Sequence, residues 1–240
     1  MCSGRVDLEF VLRAFSNGMD GVFIGGCRLN ECNYITHGNY HALTMALLCK
    51  RIMEHIGLNP ERLRVDFMSS AEGNLFAEVM GEFCKHVKEL GPLGEGKGEG
   101  IAPHELKSKL SEVGRLVPYI KLVKNEKLAS RLKNPEEYEN FFTKDEIDKL
   151  FSEVLSYYID PEKCQACMTC AKRCPVEAII SAKNQIHVID QEKCIKCGSC
   201  FEACPPRFGA VTNITGGPVP PPLPEEKRTI VRNGKDKREK

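Results

Sequence analysis

Eight cysteines in the last third of the chain give the most specific chemical signal in the sequence. They form two runs of the pattern Cys-x2-Cys-x2-Cys-x3-Cys-Pro, and the second run repeats the first after 30 residues. Gaps of two residues let three thiolates of one tight loop reach three corners of a cubane, and thiolates are the ligands of iron–sulfur clusters. Each proline fixes φ where the chain turns away and suits the start of a short helix. The runs are Cys164, Cys167, Cys170, Cys174 and Pro175, then Cys194, Cys197, Cys200, Cys204 and Pro205.

The spacing is similar to that of bacterial ferredoxins with two [4Fe–4S] clusters, in which the fourth cysteine of each run binds the other cluster. This exchange ties the two halves together and places the clusters close enough for an electron to pass between them. Zinc sites pair two cysteines with two distant ligands, which does not explain these doubled runs. Cluster one is predicted to bind through Cys164, Cys167, Cys170 and Cys204. Cluster two is predicted to bind through Cys194, Cys197, Cys200 and Cys174.

The residues around these cysteines do not indicate catalysis. His187 is the only histidine between residues 159 and 215, and no acid–base pair is evident there. We therefore predict no catalytic residues and no independent substrate site. The pattern favours an electron conduit that works within an oxidoreductase complex.

The composition is that of an ordinary globular protein without a strong charge field. Of the 240 residues, 42% are hydrophobic and 28% charged, and the net charge is +1. This balance disfavours nucleic acid and acidic lipid as partners. The first residues lack the apolar stretch of a signal peptide, and no segment has the roughly 18 apolar residues of a membrane span. We expect a cytoplasmic protein, in which the thirteen cysteines stay reduced instead of forming disulfides.

Residues 1–92 are predicted to form an α/β domain. Apolar runs indicate strands over 21–27 and 62–68, and helical periodicity indicates one helix before, one between and one after them. This order implies parallel strands joined by crossover helices. Two strands make only a partial parallel sheet, so we expect further strands from preceding residues or from a partner chain.

A glycine-rich stretch, residues 93–102, predicts a flexible linker. Its Gly96-Lys97 pair resembles part of a phosphate-binding loop, but Gly98 stands where Ser or Thr is needed, which disfavours a nucleotide site. Residues 103–158 predict a helical connector. Its first apolar stripe is interrupted at Pro118, and its last helix includes Leu155 on the apolar side.

The C-terminal part divides into two predicted segments. Residues 159–215 predict an α+β two-[4Fe–4S] ferredoxin domain. Residues 216–240 combine a proline run with a charged end, which predicts an extended, disordered tail.

The other five cysteines fall into two groups. Cys49 and Cys84 lie among apolar residues of predicted helices, so core positions are expected. Cys27 ends a predicted strand, Cys32 follows in the same loop, and Cys2 sits at the end of an expected neighbouring strand. Parallel sheets place their functional loops at the carboxyl ends of strands.

Six short motifs in residues 2–92 carry a family resemblance. They are Cys2-Ser3-Gly4-Arg5, Gly25-Gly26-Cys27, Glu31-Cys32-Asn33-Tyr34, Gly38-Asn39-Tyr40, Asn59-Pro60-Glu61-Arg62 and Ser70-Ala71-Glu72-Gly73. Together they resemble the delta (iron–sulfur) subunit of methyl-viologen-reducing hydrogenase. The resemblance implies a [2Fe–2S] cluster, for which Cys2, Cys27 and Cys32 are candidate ligands. Family members usually begin with a further strand and a cysteine-rich turn, so the domain is expected to lack its N-terminal portion.

The resemblance also implies partners. These are a heterodisulfide-reductase-like flavoprotein subunit and subunits of a hydrogenase or formate dehydrogenase. The predicted function is an iron–sulfur electron-transfer subunit that links the two in a multi-subunit oxidoreductase. The alternative is a docking or assembly subunit whose clusters are mainly structural.

Overall fold

Two parallel strands and the helices around them form the first of two units, Met1–Phe151 and Ser152–Lys240. The computed structural model describes residues 2–34, 38–132, 135–138, 140–215 and 217–230. The strands of the first unit are β1 (Val22–Gly26) and β2 (Leu63–Phe67). The helices are α1 (Leu8–Ser16), α2 (Asn39–Ile56), α3 (Gly73–Leu90), α4 (Pro103–Val123), α5 (Asn125–Ala129) and α6 (Lys144–Ser152), with 3-10 turns at Ser3–Arg5, Pro60–Arg62 and Pro135–Tyr138.

The parallel sheet with crossover helices predicted for the N-terminal part is confirmed. β1 and β2 pair in parallel, with Ile24 opposite Val65. The Asp7 side chain caps α1 by accepting a hydrogen bond from the Glu9 N–H at 3.1 Å. α2 ends at Ile56 and is capped by Gly57, whose φ of 84° favours glycine. Because both strands run in the same direction, their carboxyl ends lie at one edge of the sheet.

The predicted connector over residues 103–158 is wrong as a separate segment. α4 packs against α1 and α2, so it belongs to the first unit. The helix runs through Pro118, where the sequence predicted an interruption, and buries Val117 and Ile120 on either side of it. α6 ends at Ser152, and Leu155 begins a strand instead of continuing a helix.

The predicted flexible linker over residues 93–102 is also corrected by the structure. The carboxylate of Glu99 pairs with the guanidinium of Arg62 at 2.5 Å, and both side chains are 0% exposed. The same carboxylate accepts hydrogen bonds from the N–H groups of Gly94 and Gly96 at 2.8 and 2.9 Å. These backbone donors, which an anion would need, are therefore occupied by a side chain of the loop itself.

The second unit has the predicted α+β composition. Its strands are β3 (Leu155–Ile159), β4 (Ile179–Ile180), β5 (Val188–Ile189) and β6 (Val211–Thr215), and its helices are α7 (Thr169–Arg173) and α8 (Ser199–Ala203). β3 pairs with β6 and β4 with β5, both antiparallel. The core side chains Tyr157, Ile159 and Val211 pack among the cysteines. In the described part of the chain, no helix is long and apolar enough to cross a bilayer.

Residues 217–230, the described part of the predicted disordered tail, contain regular backbone structure. A 3-10 turn forms at Glu225–Lys227. Beyond it, Thr229 bridges to Gln185 in antiparallel fashion. Backbone hydrogen bonds to the preceding domain hold this segment, which composition alone does not reveal. Residues 216 and 231–240 of the predicted tail lie outside the described residues.

Candidate metal centres

The eight clustered cysteines of the second unit line two openings. One opening is bordered by Cys164, Cys167, Cys170 and Cys204. The other is bordered by Cys174, Cys194, Cys197 and Cys200. At each opening, the first three cysteines of one run therefore stand beside the fourth cysteine of the other run.

The loops that present these thiols repeat one backbone conformation. Ala166 and Lys196, which are equivalent in the repeat, have φ of 50° and 57°. Met168 and Gly198, also equivalent, have φ of 65° and 79° and precede α7 and α8. Two left-handed residues in so few positions curl each loop, so its three thiols face one side.

Burial shapes the chemistry of these thiols. It raises the pKa of Cys170 to about 11 and that of Cys200 to about 12, with further contributions from neighbouring thiols. Both cysteines belong to one apolar core, and Cys170 is among the groups that raise the pKa of Cys200. The two sets of four thiols therefore share one core. Iron bound there would have to displace protons from these thiols, as metal binding to cysteine generally does.

Exposure differs between the cysteines of the two sets. Cys167 is exposed, whereas Cys164, Cys170 and Cys200 are buried. The first opening thus reaches the protein surface at Cys167.

His187 has a place in this site that its sequence position did not indicate. The side chain is 1% exposed, and its Nδ1 lies 3.4 Å from the Cys170 Sγ. Burial lowers the pKa of His187. The sequence showed only that His187 has no evident acid–base partner, and it did not predict a contact with Cys170.

In the first unit, three cysteines meet at the carboxyl edge of the sheet. Cys27 follows β1 directly, and Cys32 lies in the loop after it. The Sγ atoms of Cys2 and Cys32 are 3.6 Å apart. All three side chains line a cavity of about 810 Å³, together with residues that follow β2. No other cysteine of the described chain borders this cavity.

Asn39 and Gly38 shape the loop that carries Cys27 and Cys32. The buried side chain of Asn39 donates hydrogen bonds to the Cys27 carbonyl at 2.8 Å and the Arg28 carbonyl at 2.6 Å. A Cβ at Gly38 would lie 2.6 Å from the Cys32 Sγ, so only glycine leaves room for that thiol. The sequence showed both positions only as part of the family resemblance.

The three thiols have unlike electrostatic surroundings. The backbone N–H of Tyr34 is the main cause that lowers the pKa of Cys32, and burial is the main cause that raises the pKa of Cys27. Within the described residues, no three His, Cys, Asp or Glu side chains gather closely enough to hold a single metal ion. The cysteines instead border openings.

Only one of the two remaining cysteines lies in the core, although both were predicted to do so. Cys49 is buried, as predicted, and burial raises its pKa to about 12. Cys84 is exposed, so its predicted core position is wrong. The reason is that Val79 and Phe83 supply the buried face of α3.

Comparison with known protein families identifies both parts of the chain. Residues 1–91 match the model described as methyl-viologen-reducing hydrogenase, delta subunit. Residues 156–205 match the model of the 4Fe-4S dicluster domain.

Individual relatives agree with these matches. The iron-sulfur subunit of the F420-non-reducing hydrogenase vhu from Methanopyrus kandleri is 39% identical over 92 residues, which are 38% of this chain and 69% of the relative. The iron-sulfur subunit of the F420-non-reducing hydrogenase from Archaeoglobus profundus is 47% identical over 91 residues, 38% of this chain and 66% of the relative. One subunit of the ferredoxin/F(420)H(2)-dependent CoB-CoM heterodisulfide reductase from Methanosarcina acetivorans is 47% identical over 104 residues, 43% of this chain. The chain spans only 13% of that last relative.

Fold, cysteine sets and relatives together define an iron–sulfur protein. The chain belongs to the methyl-viologen-reducing hydrogenase delta subunit family, and it also contains a 4Fe-4S dicluster domain. The resemblance noted in the sequence is thereby confirmed.

Proposed function

We propose that this chain is an iron–sulfur electron-transfer subunit of a multi-subunit oxidoreductase. The observation that supports this most directly is the arrangement of the eight clustered cysteines. Four thiols border each of two openings in one shared core. In this proposal Cys164, Cys167, Cys170 and Cys204 hold one [4Fe–4S] cluster. Cys194, Cys197, Cys200 and Cys174 hold the second.

The residues around the openings suit electron transfer without substrate chemistry. A bound [4Fe–4S] cluster supplies a site that gains or loses one electron. The apolar side chains of Ile159, Ile179 and Ile189 exclude water from the cysteine core. Cys167 gives a partner protein a short approach to one set of ligands, because it is exposed.

We further propose that Cys2, Cys27 and Cys32 contribute ligands to a [2Fe–2S] cluster. Three thiols at one cavity, and a glycine that leaves space beside Cys32, support this assignment. Such a cluster takes four ligands, so these cysteines supply three of them.

The names of the relatives support a proposal about the partners. Those names describe the iron-sulfur subunit of a hydrogenase and one subunit of a heterodisulfide reductase. We propose that this chain passes electrons between a hydrogenase or formate dehydrogenase and a heterodisulfide-reductase-like flavoprotein. The work would take place in the cytoplasm, where clustered thiols stay reduced.

Electron transfer between purified components tests the proposal. The anaerobically reduced chain is mixed with the heterodisulfide-reductase-like flavoprotein in a stopped-flow instrument, and flavin reduction is followed by absorbance. We expect the chain to be reoxidised as the flavin is reduced. A chain that is reduced but never passes electrons on would contradict the proposal, as would hydrogen or formate oxidation by the chain alone.

A further inference from the structure

His187 is a buried polar residue whose contacts go beyond packing. Its Nδ1 lies 3.4 Å from the Sγ of Cys170. Its Nε2 is buried and has no hydrogen-bond partner within the described residues. A polar ring buried at 1% exposure is costly unless it is hydrogen-bonded, so the contact with sulfur has to offset much of that cost.

Backbone hydrogen bonds hold the chain on both sides of His187. On one side His187 leads directly into β5, which pairs with β4. On the other side Ile186 donates its N–H to the Arg228 carbonyl at 2.7 Å, and Ile230 donates to the Asn184 carbonyl at 2.8 Å. The imidazole is therefore held against Cys170 by a preformed framework.

The 30-residue repeat has a histidine at this position in only one of its two copies. His187 occupies the position that Tyr157 has 30 residues earlier, whereas Ile159 and Asp160 recur unchanged as Ile189 and Asp190. Tyr157 borders the second opening, and His187 borders the first. Two sets of cysteines that are otherwise alike thus face different polar groups.

We propose that His187 donates an N–H···S hydrogen bond to Cys170 and makes the cluster held by Cys170 easier to reduce than the other cluster. The inference rests on the proposed function, because it requires both sets of four cysteines to bind clusters. His187 would affect the cluster only through its hydrogen bond to the ligand Cys170. It is therefore a positioning residue and not a ligand.

The direction of the effect follows from charge. A metal-bound thiolate only accepts hydrogen bonds, so the proton of the contact belongs to Nδ1. Reduction adds one negative charge to the cluster. A donor aimed at a ligand sulfur stabilises the reduced form more than the oxidised form, and this raises the reduction potential. The first electron to arrive would then reside on the cluster whose ligand Cys167 is exposed.

Redox titration of the full chain tests the proposal. Iron content is measured first, and the two potentials are then followed by EPR in the wild type, His187→Leu and His187→Asn. We expect His187→Leu to lower one potential and leave the other in place. His187→Asn should remain near the wild type, because its amide can place an N–H close to the position of Nδ1. The control Tyr157→Phe, at the equivalent position, should leave the higher potential unchanged.

Failure of this inference differs from failure of the proposed function. A wild-type chain with almost no iron would contradict the proposed function before any titration. Two unchanged potentials in His187→Leu, at full iron content, would overturn the role of His187.

A second measurement covers the case in which His187→Leu loses its clusters. The chain is labelled with 15N-histidine, since His187 is the only histidine of residues 152–240. Pulsed EPR of the reduced wild type should show 15N coupling to a [4Fe–4S] signal, and His187→Asn should lack it. A reduced wild type without that coupling would overturn the inference.

Discussion

The thiol of Cys32 lies 3.6 Å from that of Cys2 and lines the same cavity as Cys27, so substitution of Cys32 tests the candidate [2Fe–2S] site directly. We expect Cys32→Ser to lower the iron content by about two per chain and to remove a [2Fe–2S] EPR signal. The [4Fe–4S] signals should stay, because their ligands lie in the second unit. Iron analysis and EPR of the anaerobically purified variant measure this.

Cys84→Ser is the matched control for that experiment. Cys84 is exposed on α3 and does not line the cavity, so its removal should change neither iron content nor spectra. Equal iron content in Cys32→Ser and Cys84→Ser would contradict the assignment of Cys32.

The buried pair of Arg62 and Glu99 gives a prediction about stability. Glu99→Gln leaves the guanidinium buried without a counter-charge, so we expect the first unit to lose about 3 kcal/mol of stability at pH 7. Hydrogen exchange of first-unit peptides, followed by mass spectrometry, measures the loss. Glu105→Gln is the control, because Glu105 pairs with Lys109 at 3.8 Å on the surface and should contribute less than about 1 kcal/mol.

The same pair sets a pH dependence. Burial opposes ionisation of Glu99, but the hydrogen bond from Arg62 and those from the backbone outweigh it and lower its pKa below the ordinary 4.5. The stabilisation is therefore complete above that value and is lost as the pH falls through the lowered folded-state pKa. In Glu99→Gln this acid-induced loss should be absent. An equal acid-induced loss in the variant and the wild type would contradict the role of Glu99.

Individual residues show how far sequence reasoning reaches. The two cysteine runs were readable because fixed local spacing reflects the geometry of their loops. The contacts of His187 with Cys170 and of Asn39 with Cys27 could not be predicted from the sequence. Each joins residues 12 or more positions apart through folding, and no periodicity records such a pairing.

At the scale of elements, residues 217–230 form backbone hydrogen bonds with the second unit. They add an antiparallel bridge beside the segment that precedes His187. We expect Ile230→Pro, which removes the N–H donor to the Asn184 carbonyl, to speed exchange of the Ile186 amide roughly fivefold. Hydrogen exchange measured by NMR or mass spectrometry checks this.

Val219→Pro, within the proline run, is the control for this element. It should leave exchange of the Ile186 amide unchanged. If both variants behave alike, the bridge does not stabilise the second unit.

The elements that the sequence mispredicted share a physical cause. Glycine content predicted a flexible linker, yet Glu99 finds its partner Arg62 in a distant turn. Pro118 predicted a break in α4, but packing of that helix against α1 and α2 stabilises it as one element. Leu155 fitted a helical stripe and also a strand, and pairing with β6 selected the strand. In each case a contact distant in sequence overrode the local preference.

The two units of the chain differ in the family that each matches and in the thiols that each carries. The first, with three thiols at its sheet edge, belongs to the hydrogenase delta subunit family. The second, with eight thiols in one core, matches a dicluster domain. The order of these parts could be predicted from the sequence, because each has its own cysteine pattern. The boundary at residues 151–152 could not, because α4 to α6 looked like an independent connector.

Iron and acid-labile sulfide analysis, combined with EPR of the dithionite-reduced chain, decides whether the chain holds all three proposed clusters. We predict about ten irons per chain, with two interacting [4Fe–4S] signals and one [2Fe–2S] signal. About eight irons without the third signal would remove Cys2, Cys27 and Cys32 as ligands and leave the second unit as the conduit. Iron near zero, with zinc bound instead, would contradict the proposal that this chain transfers electrons.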